Sequence, residues 1–226
     1  MWFAAGLTAF LALWNNVANL WQPFERWYMP VSLAVAAGIV LLSRSAGLGT
    51  PELGLTRARV PSGVAWGGGV ALAAFLCLGA AVLVPAARPL LADARIAELG
   101  AAGVAFRALV RIPFGTALLE EVAFRGALLG AWARRIGWRR AQLVQSAVFG
   151  LWHVTPTWIA LEANELAQAP AARVGAIGGA VVVSAIGGWL FGWLRGRSGS
   201  LLAPLLAHWG LNAAAVTAAA AAIALG

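Results

Sequence analysis

The chain has 226 residues, of which 62% are hydrophobic and only 11% charged, with a mean hydropathy of +0.82. Soluble domains carry about 25% charged residues, so this chain has too little charge to cover a surface that faces water. The formal net charge is +8, and all 16 strongly basic residues are arginine. These arginines lie between apolar runs and form no solvated basic face, which argues against nucleic-acid binding.

The apolar runs predict one membrane domain over residues 1–226, with an all-α, polytopic transmembrane bundle as the fold. A helix needs about 20 apolar residues to cross a hydrocarbon core of about 30 Å. By this measure, seven spans are predicted at residues 3–20, 28–42, 64–84, 114–132, 141–159, 174–194 and 201–225. Residues 97–112 carry Arg107 and Arg111 and end before Pro113. They are predicted to form an additional helix at the membrane surface.

Arginine placement predicts the orientation of the chain. If the seven predicted spans alternate, nine arginines share one side: Arg44, Arg57, Arg59, Arg134, Arg135, Arg139, Arg140, Arg195 and Arg197. The positive-inside rule then places the amino terminus in the cytoplasm and the carboxy terminus outside. The alanine-rich composition without lysine favours a bacterial plasma membrane.

Few strongly polar side chains remain within the predicted spans. They are Glu120, Glu121 and Arg125 in the fourth span, His153 in the fifth, and His208 and Asn212 in the seventh. An ionisable group at the bilayer centre costs about 2.5–3.5 kcal/mol on insertion scales. These groups are therefore expected to face one another or a wet cavity instead of lipid.

The spacing of these residues predicts which side chains can meet. Glu121 and Arg125 are four residues apart, so they share a helix face and are best interpreted as an orienting ion pair. Glu120 lies about 100° further round the helix and is free to point into a cavity. A role in helix–helix packing is a poor explanation for a carboxylate beside two imidazoles. Serine or threonine could fill that role at a lower free-energy cost of insertion into the membrane. General acid–base chemistry on water needs such a set.

Three short patterns then point to a family. Glu120 to Arg125 reads EExxxR, residues 149–153 read FxxxH, and His208 to Asn212 reads HxxxN. In this order, on separate apolar helices, they resemble the CPBP family of CAAX proteases and bacteriocin-processing membrane enzymes. The same family is called Abi, or type II CAAX prenyl endopeptidase. The resemblance covers about residues 114–212, which would form the catalytic core.

The resemblance implies a helical bundle with a conical cavity in which a peptide bond is hydrolysed. By analogy, Glu120 and His153 would polarise the attacking water. His208 and Asn212 would stabilise the oxyanion of the tetrahedral intermediate. Arg125, paired with Glu121, would hold the glutamates in place.

The resemblance leaves the cofactor open between two alternatives. The family is often labelled a metalloprotease, and Glu120, His153 and His208 would match the three protein ligands of a catalytic zinc. However, the HExxH helix of most zinc peptidases is absent. A metal-free glutamate mechanism uses the same residues and is favoured, with zinc as the alternative.

The hypothesis favoured by the sequence is an intramembrane endopeptidase that acts on a peptide or protein near the surface of a lipid membrane. Its substrates could be bacteriocin leaders, signalling peptides or membrane-anchored regulators. The alternative is a non-catalytic scaffold, chaperone or bacteriocin self-immunity protein that uses the same polar cavity. An arginine cluster beside Trp132 and Trp138 could also bind anionic headgroups, although a cytoplasmic anchor is its default interpretation.

Overall fold

The computed structural model describes residues 2–21 and 24–226, and the regular structure in these ranges is helical, without strands. This confirms the all-α prediction. The main helices are α1 (Trp2–Ala18), α2 (Phe24–Ser45), α3 (Val60–Val82), α4 (Ala101–Ile136), α5 (Trp138–Trp152), α6 (Val154–Ala163), α7 (Pro170–Ser198) and α8 (Leu202–Leu225). Short helical segments at Thr50–Leu53, Arg57–Arg59, Pro85–Ala87, Arg88–Leu91 and Ala94–Ala97 connect them.

Five segments of the described chain are long and apolar enough to cross a membrane. They are Arg26–Ser45, Thr50–Val82, Ala101–Ile136, Pro170–Ser198 and Leu202–Leu225. Helix α1, with 17 residues, and helix α5, with 15, are shorter than these. The predicted number of seven spans is therefore not confirmed.

The separate surface helix predicted before Pro113 is wrong, because α4 continues through this proline from Ala101 to Ile136. Residues Arg107–Ala117 are π-helical, with Pro113 inside the widened turns. In an α-helix a proline removes one hydrogen bond and its ring clashes with the carbonyl four residues earlier. The larger turn of a π-helix moves that carbonyl, and the backbone N–H of Leu118 donates to the carbonyl of Pro113.

The fifth predicted span is not one helix, because it breaks at His153 between α5 and α6. Pro156 has no N–H to donate to the Trp152 carbonyl four residues earlier, so the helical pattern cannot continue there. That carbonyl instead accepts a hydrogen bond of 2.7 Å from the Asn15 side-chain amide of α1. The break places His153 at the end of a helix, with φ −93° and ψ 3°.

Helix α4 is the centre of the bundle, and α1, α2 and α5 pack around it. Its middle turns are closed off from every side, because a set of large and small apolar residues is fully buried there. These are Ala117, Ala123, Phe124, Ala127, Leu128 and Leu129. Any polar side chain on these turns must therefore find its partners within the protein.

Glycines bring α3 and α8 into backbone contact on the other side of the bundle. A methyl group at Gly67 would overlap the carbonyl oxygen of Ala203, and one at Gly210 would overlap the side chain of Ala71. Small residues at such crossings allow helices to approach closely in a membrane. This packing fixes the position of α8, which carries His208 and Asn212.

The arginine-rich loops lie together at one end of the bundle, as the sequence predicts. Arg134 donates to the Gly47 carbonyl at 3.0 Å, and Arg195 donates to the Pro51 carbonyl at 2.7 Å. We call this end the arginine face. At the other end, Arg88 donates to the carbonyl of Leu225 at 3.0 Å.

Candidate active site

Glu121 is the hub of the buried polar cluster. Its Oε1 accepts a hydrogen bond of 2.9 Å from Arg125 Nη1 and lies 2.8 Å from Nδ1 of His208. Glu121 and Arg125 are completely buried, and His208 is 5% exposed. The ion pair predicted between Glu121 and Arg125 is therefore present, and it also holds the imidazole of α8.

Glu120 lies on the other side of the same imidazole. Its Oε2 is 3.8 Å from His208 Nε2, and its Oε1 accepts a hydrogen bond of 3.0 Å from the indole N–H of Trp152. Consecutive helical residues point about 100° apart, so the two glutamates can contact the two ring nitrogens of His208. The carboxylates of α4 thus bracket the imidazole of α8.

Aromatic rings enclose the cationic part of the cluster. The guanidinium carbon of Arg125 lies 4.0 Å from the ring centroid of Phe149 and 5.1 Å from that of Phe191. Phe191 also stacks on His208, with centroids 5.3 Å apart and planes 23° apart. Cation–π attraction stabilises a charge in this setting and partly offsets the loss of hydration.

His153 lies beside the cluster and does not bond to it directly. Its Nδ1 is 2.8 Å from the Phe149 carbonyl oxygen, so this nitrogen donates and Nε2 remains as an acceptor. The ring of His153 packs on the ring of Phe149, with centroids 4.7 Å apart. The ring of His208 also lies near Phe149, at a centroid distance of 6.2 Å. The predicted residues on three helices are therefore brought to one region, with Phe149 between the two histidines.

Asn212 follows His208 by one turn of α8 and is half-buried. Its side chain makes no hydrogen bond within the described part of the chain. An amide in this position has both donor and acceptor atoms free for a bound molecule.

The cluster retains buried polar atoms that the protein does not satisfy. They are Oε2 of Glu120, Oε2 of Glu121, and Nε and Nη2 of Arg125. Buried polar atoms are nearly always hydrogen-bonded, because each unpaired one costs about 1–3 kcal/mol. A set this dense indicates a site built to bind water or a polar substrate group.

The residues do not fit the three-ligand shell of a catalytic zinc. Within residues 2–21 and 24–226, no group of three His, Cys, Asp or Glu side chains is arranged to hold a metal ion. Glu120 and His208 are close enough to share one, but His153, the third predicted ligand, packs on Phe149 and does not contact this pair. No catalytic step is therefore assigned to a metal.

The cluster lies nearer the arginine face than the opposite end of the bundle. His208 follows the first residue of α8, Leu202, by six residues, which is about 9 Å along the helix axis. The cluster is therefore buried at a moderate depth below the arginine face.

Sequence reasoning missed three residues of the site. Trp152 binds Glu120, Phe191 stacks on His208, and Asn15 fixes the carbonyl of Trp152. Asn15 offered a signal, since it is a polar residue within the first predicted span. Trp152 and Phe191 offered none, because aromatic residues are common in apolar helices of this kind.

One comparison with known proteins gives a match. A family model described as Type II CAAX prenyl endopeptidase Rce1-like matches residues 102–214, half of the chain. This range contains Glu120, His153 and His208 with the rest of the three motifs. No curated protein and no solved structure matches the chain. The apolar helices and the family together make this chain an integral membrane protein, and it belongs to the Rce1-like family of type II CAAX prenyl endopeptidases.

Proposed function

We propose that this protein is an intramembrane endopeptidase that hydrolyses a peptide bond just below the arginine face, with Glu120 as the base that activates water. One observation carries the proposal. Glu120 is only 7% exposed, yet just one of its oxygens is hydrogen-bonded, while the other faces the Nε2 of His208 at 3.8 Å. Glu121 also keeps one oxygen unpaired, but its other oxygen already binds Arg125 and His208, so Glu120 is the carboxylate left for chemistry.

Charge balance indicates that the cluster holds one extra proton, which we place on His208 because its two ring nitrogens face the two glutamates. The cluster contains two carboxylates and one guanidinium, so a proton on His208 makes it neutral. Buried charges persist only when they are compensated in this way. In the proposed resting state, His208 carries a proton on each ring nitrogen, with Nδ1–H bonded to Glu121 and Nε2–H directed toward Glu120.

In the proposed reaction, Glu120 removes a proton from water as the water oxygen attacks the scissile carbonyl carbon. His153 Nε2 accepts a hydrogen bond from the same water and orients it. When the tetrahedral intermediate collapses, the C–N bond breaks and Glu120 transfers its proton to the leaving amine. The carboxylate is thereby regenerated, as general acid–base catalysis requires.

The oxyanion that forms on the carbonyl oxygen needs donors that are already in place. The Nε2–H of His208 and the free amide of Asn212, one turn away on α8, are proposed for this role. Removing one such donor typically lowers kcat by about 10²–10³-fold. Arg125 and Glu121 act indirectly, because they hold His208 in the required orientation.

We further propose that α1 and α5 also cross the membrane, which gives seven spans with the amino terminus in the cytoplasm. Phe3 and Ala4 of α1 lie beside Arg134 and Arg135, while Asn15 reaches the level of Trp152 deeper in the bundle. The arginine face is then cytoplasmic by the positive-inside rule. The composition supports a bacterial plasma membrane as the location.

The decisive experiment compares membrane proteomes of cells that express the wild type or Glu120→Gln, by enrichment of new peptide termini. Glu120→Gln keeps the shape and removes the base, so new termini should disappear while the protein still accumulates. Glu52→Gln on the arginine face serves as the matched control and should retain them. If Glu120→Gln and His153→Ala both leave every cleavage intact, the protein acts instead as a scaffold or immunity protein.

A further inference from the structure

A cavity of about 590 Å³ opens on the arginine face, away from the motif residues. It lies between the Thr50–Leu53 segment, α4, α5 and α7. The polar and aromatic side chains that line it include Gln142, Trp138, Trp193, Arg134, Arg195 and Arg197. Tryptophan and arginine together are typical of the headgroup layer of a membrane.

The cavity carries an excess of positive charge. Three arginines line it, while Glu52 is the only acidic lining residue. Glu52 is already paired with Arg134 at 3.5 Å, so Arg195 and Arg197 are not neutralised by any carboxylate of the cavity. Such a site favours a ligand with negative charge.

Of the two uncompensated arginines, Arg195 is fixed by the protein, whereas Arg197 is exposed and lies against a tryptophan ring. Arg195 is 4% exposed and donates through Nη2 to the carbonyls of Pro51 at 2.7 Å and Glu52 at 3.2 Å. The guanidinium of Arg197 lies over the ring of Trp193, 5.7 Å from its centroid. Preorganised guanidinium groups bind phosphate well because little side-chain freedom is lost on binding.

An apolar groove follows directly beneath this charged cavity. A second cavity, of about 560 Å³, is formed by α5 and α7 and includes Leu143, Ala147, Ile186 and Trp189. Leu143 is adjacent to Gln142, and Trp189 is one turn from Trp193, so the groove continues along the same two helices. It extends on α5 from Leu143 to Leu151, which is about 12 Å toward the bilayer centre.

We propose that the charged cavity and the groove together bind one anionic phospholipid of the leaflet on the arginine face. The phosphate lies among Arg134, Arg195 and Arg197, and one acyl chain lies in the α5–α7 groove. A charged cavity at headgroup level that opens into an apolar groove matches the two halves of such a lipid. The site is separate from the proposed catalytic groups, since none of the six predicted site residues lines either cavity.

The test measures lipid retention by native mass spectrometry after purification from nanodiscs that contain equal phosphatidylglycerol and phosphatidylcholine. Wild type should retain phosphatidylglycerol preferentially. Each interfacial arginine strengthens the attraction about fivefold, so Arg134→Gln with Arg197→Gln should lower this retention roughly 30-fold. Arg139→Gln with Arg140→Gln removes the same charge from exposed positions outside the cavity and should retain the lipid.

Two further arms identify the source of the phosphate. Ala147→Phe fills the groove and should release the lipid, and inorganic phosphate at millimolar concentration should not displace it. Equal loss in both arginine pairs would mean general surface attraction and would overturn the site. Displacement by inorganic phosphate, or retention in Ala147→Phe, would mean that no acyl chain is bound and would overturn the lipid as ligand.

Discussion

The indole of Trp152 is predicted to control the reactivity of Glu120, and Trp152→Phe isolates this effect. The substitution keeps an aromatic ring beside Phe124 but removes the N–H that donates to Glu120 at 3.0 Å. This is the only hydrogen bond that Glu120 receives within the described chain. Without it, the carboxylate is free to rotate toward His208 and away from the position of the attacking water.

The structure sets the expected magnitude. A hydrogen bond to a charged group contributes about 1.5–3 kcal/mol, and each 1.36 kcal/mol changes a rate tenfold. We therefore expect kcat to fall by about 10- to 150-fold in Trp152→Phe. KM should change much less, because the indole is buried behind Glu120 and is 2% exposed.

The assay uses the purified protein in nanodiscs and a fluorogenic peptide that contains a cleavage site found by the terminus comparison. Trp132→Phe is the matched control, since it also removes an indole N–H bond, 3.1 Å to the hydroxyl of Thr8. This bond is remote from the glutamates, so activity should stay near that of wild type. If the two variants have equal kcat values, Trp152 does not orient Glu120 and the proposed base is misassigned.

Three further predictions concern stability and cofactor dependence. Glu121→Gln leaves Arg125 buried without its carboxylate and should lower the free energy of unfolding by about 3–5 kcal/mol. Glu52→Gln removes a surface ion pair and should lower it by about 0–1 kcal/mol. Denaturation in detergent measures both changes. Gly210→Ala should destabilise the α3–α8 contact by about 1–3 kcal/mol. Gly68 faces open space, so Gly68→Ala should be neutral or stabilising. A lower thermal unfolding temperature for Gly68→Ala than for Gly210→Ala would contradict the packing. Cleavage should continue after dialysis against a chelator, and loss of activity that added zinc restores would show that the ligands rearrange around a metal.

The proposed mechanism gives the two adjacent glutamates different roles. In the proposed mechanism Glu121 is structural, because its Oε1 binds both Arg125 and His208 and the residue is completely buried. Glu120 keeps one oxygen free beside Nε2 of His208. One carboxylate therefore compensates the buried cations, and the other remains available for chemistry, a division that a single glutamate could not provide.

The class of protein and four members of the polar cluster, Glu120, Glu121, Arg125 and His208, are predictable from the amino-acid sequence. Low charge and long apolar runs require a helical membrane protein, because backbone groups in lipid must be satisfied within each helix. The cost of burying Glu120, Glu121 and Arg125 required that they meet other polar groups. The contact of Glu121 with both Arg125 and His208 satisfies this requirement.

The course of the helices and the neighbours that complete the site depend on tertiary packing. Proline positions were misleading: α4 passes through Pro113 in a π-helical segment, while the chain breaks at His153 ahead of Pro156. Local preference cannot distinguish these outcomes, because each depends on whether other helices satisfy the displaced carbonyl, as Asn15 does for Trp152. Contacts between residues distant in sequence are selected by packing, which no local pattern encodes.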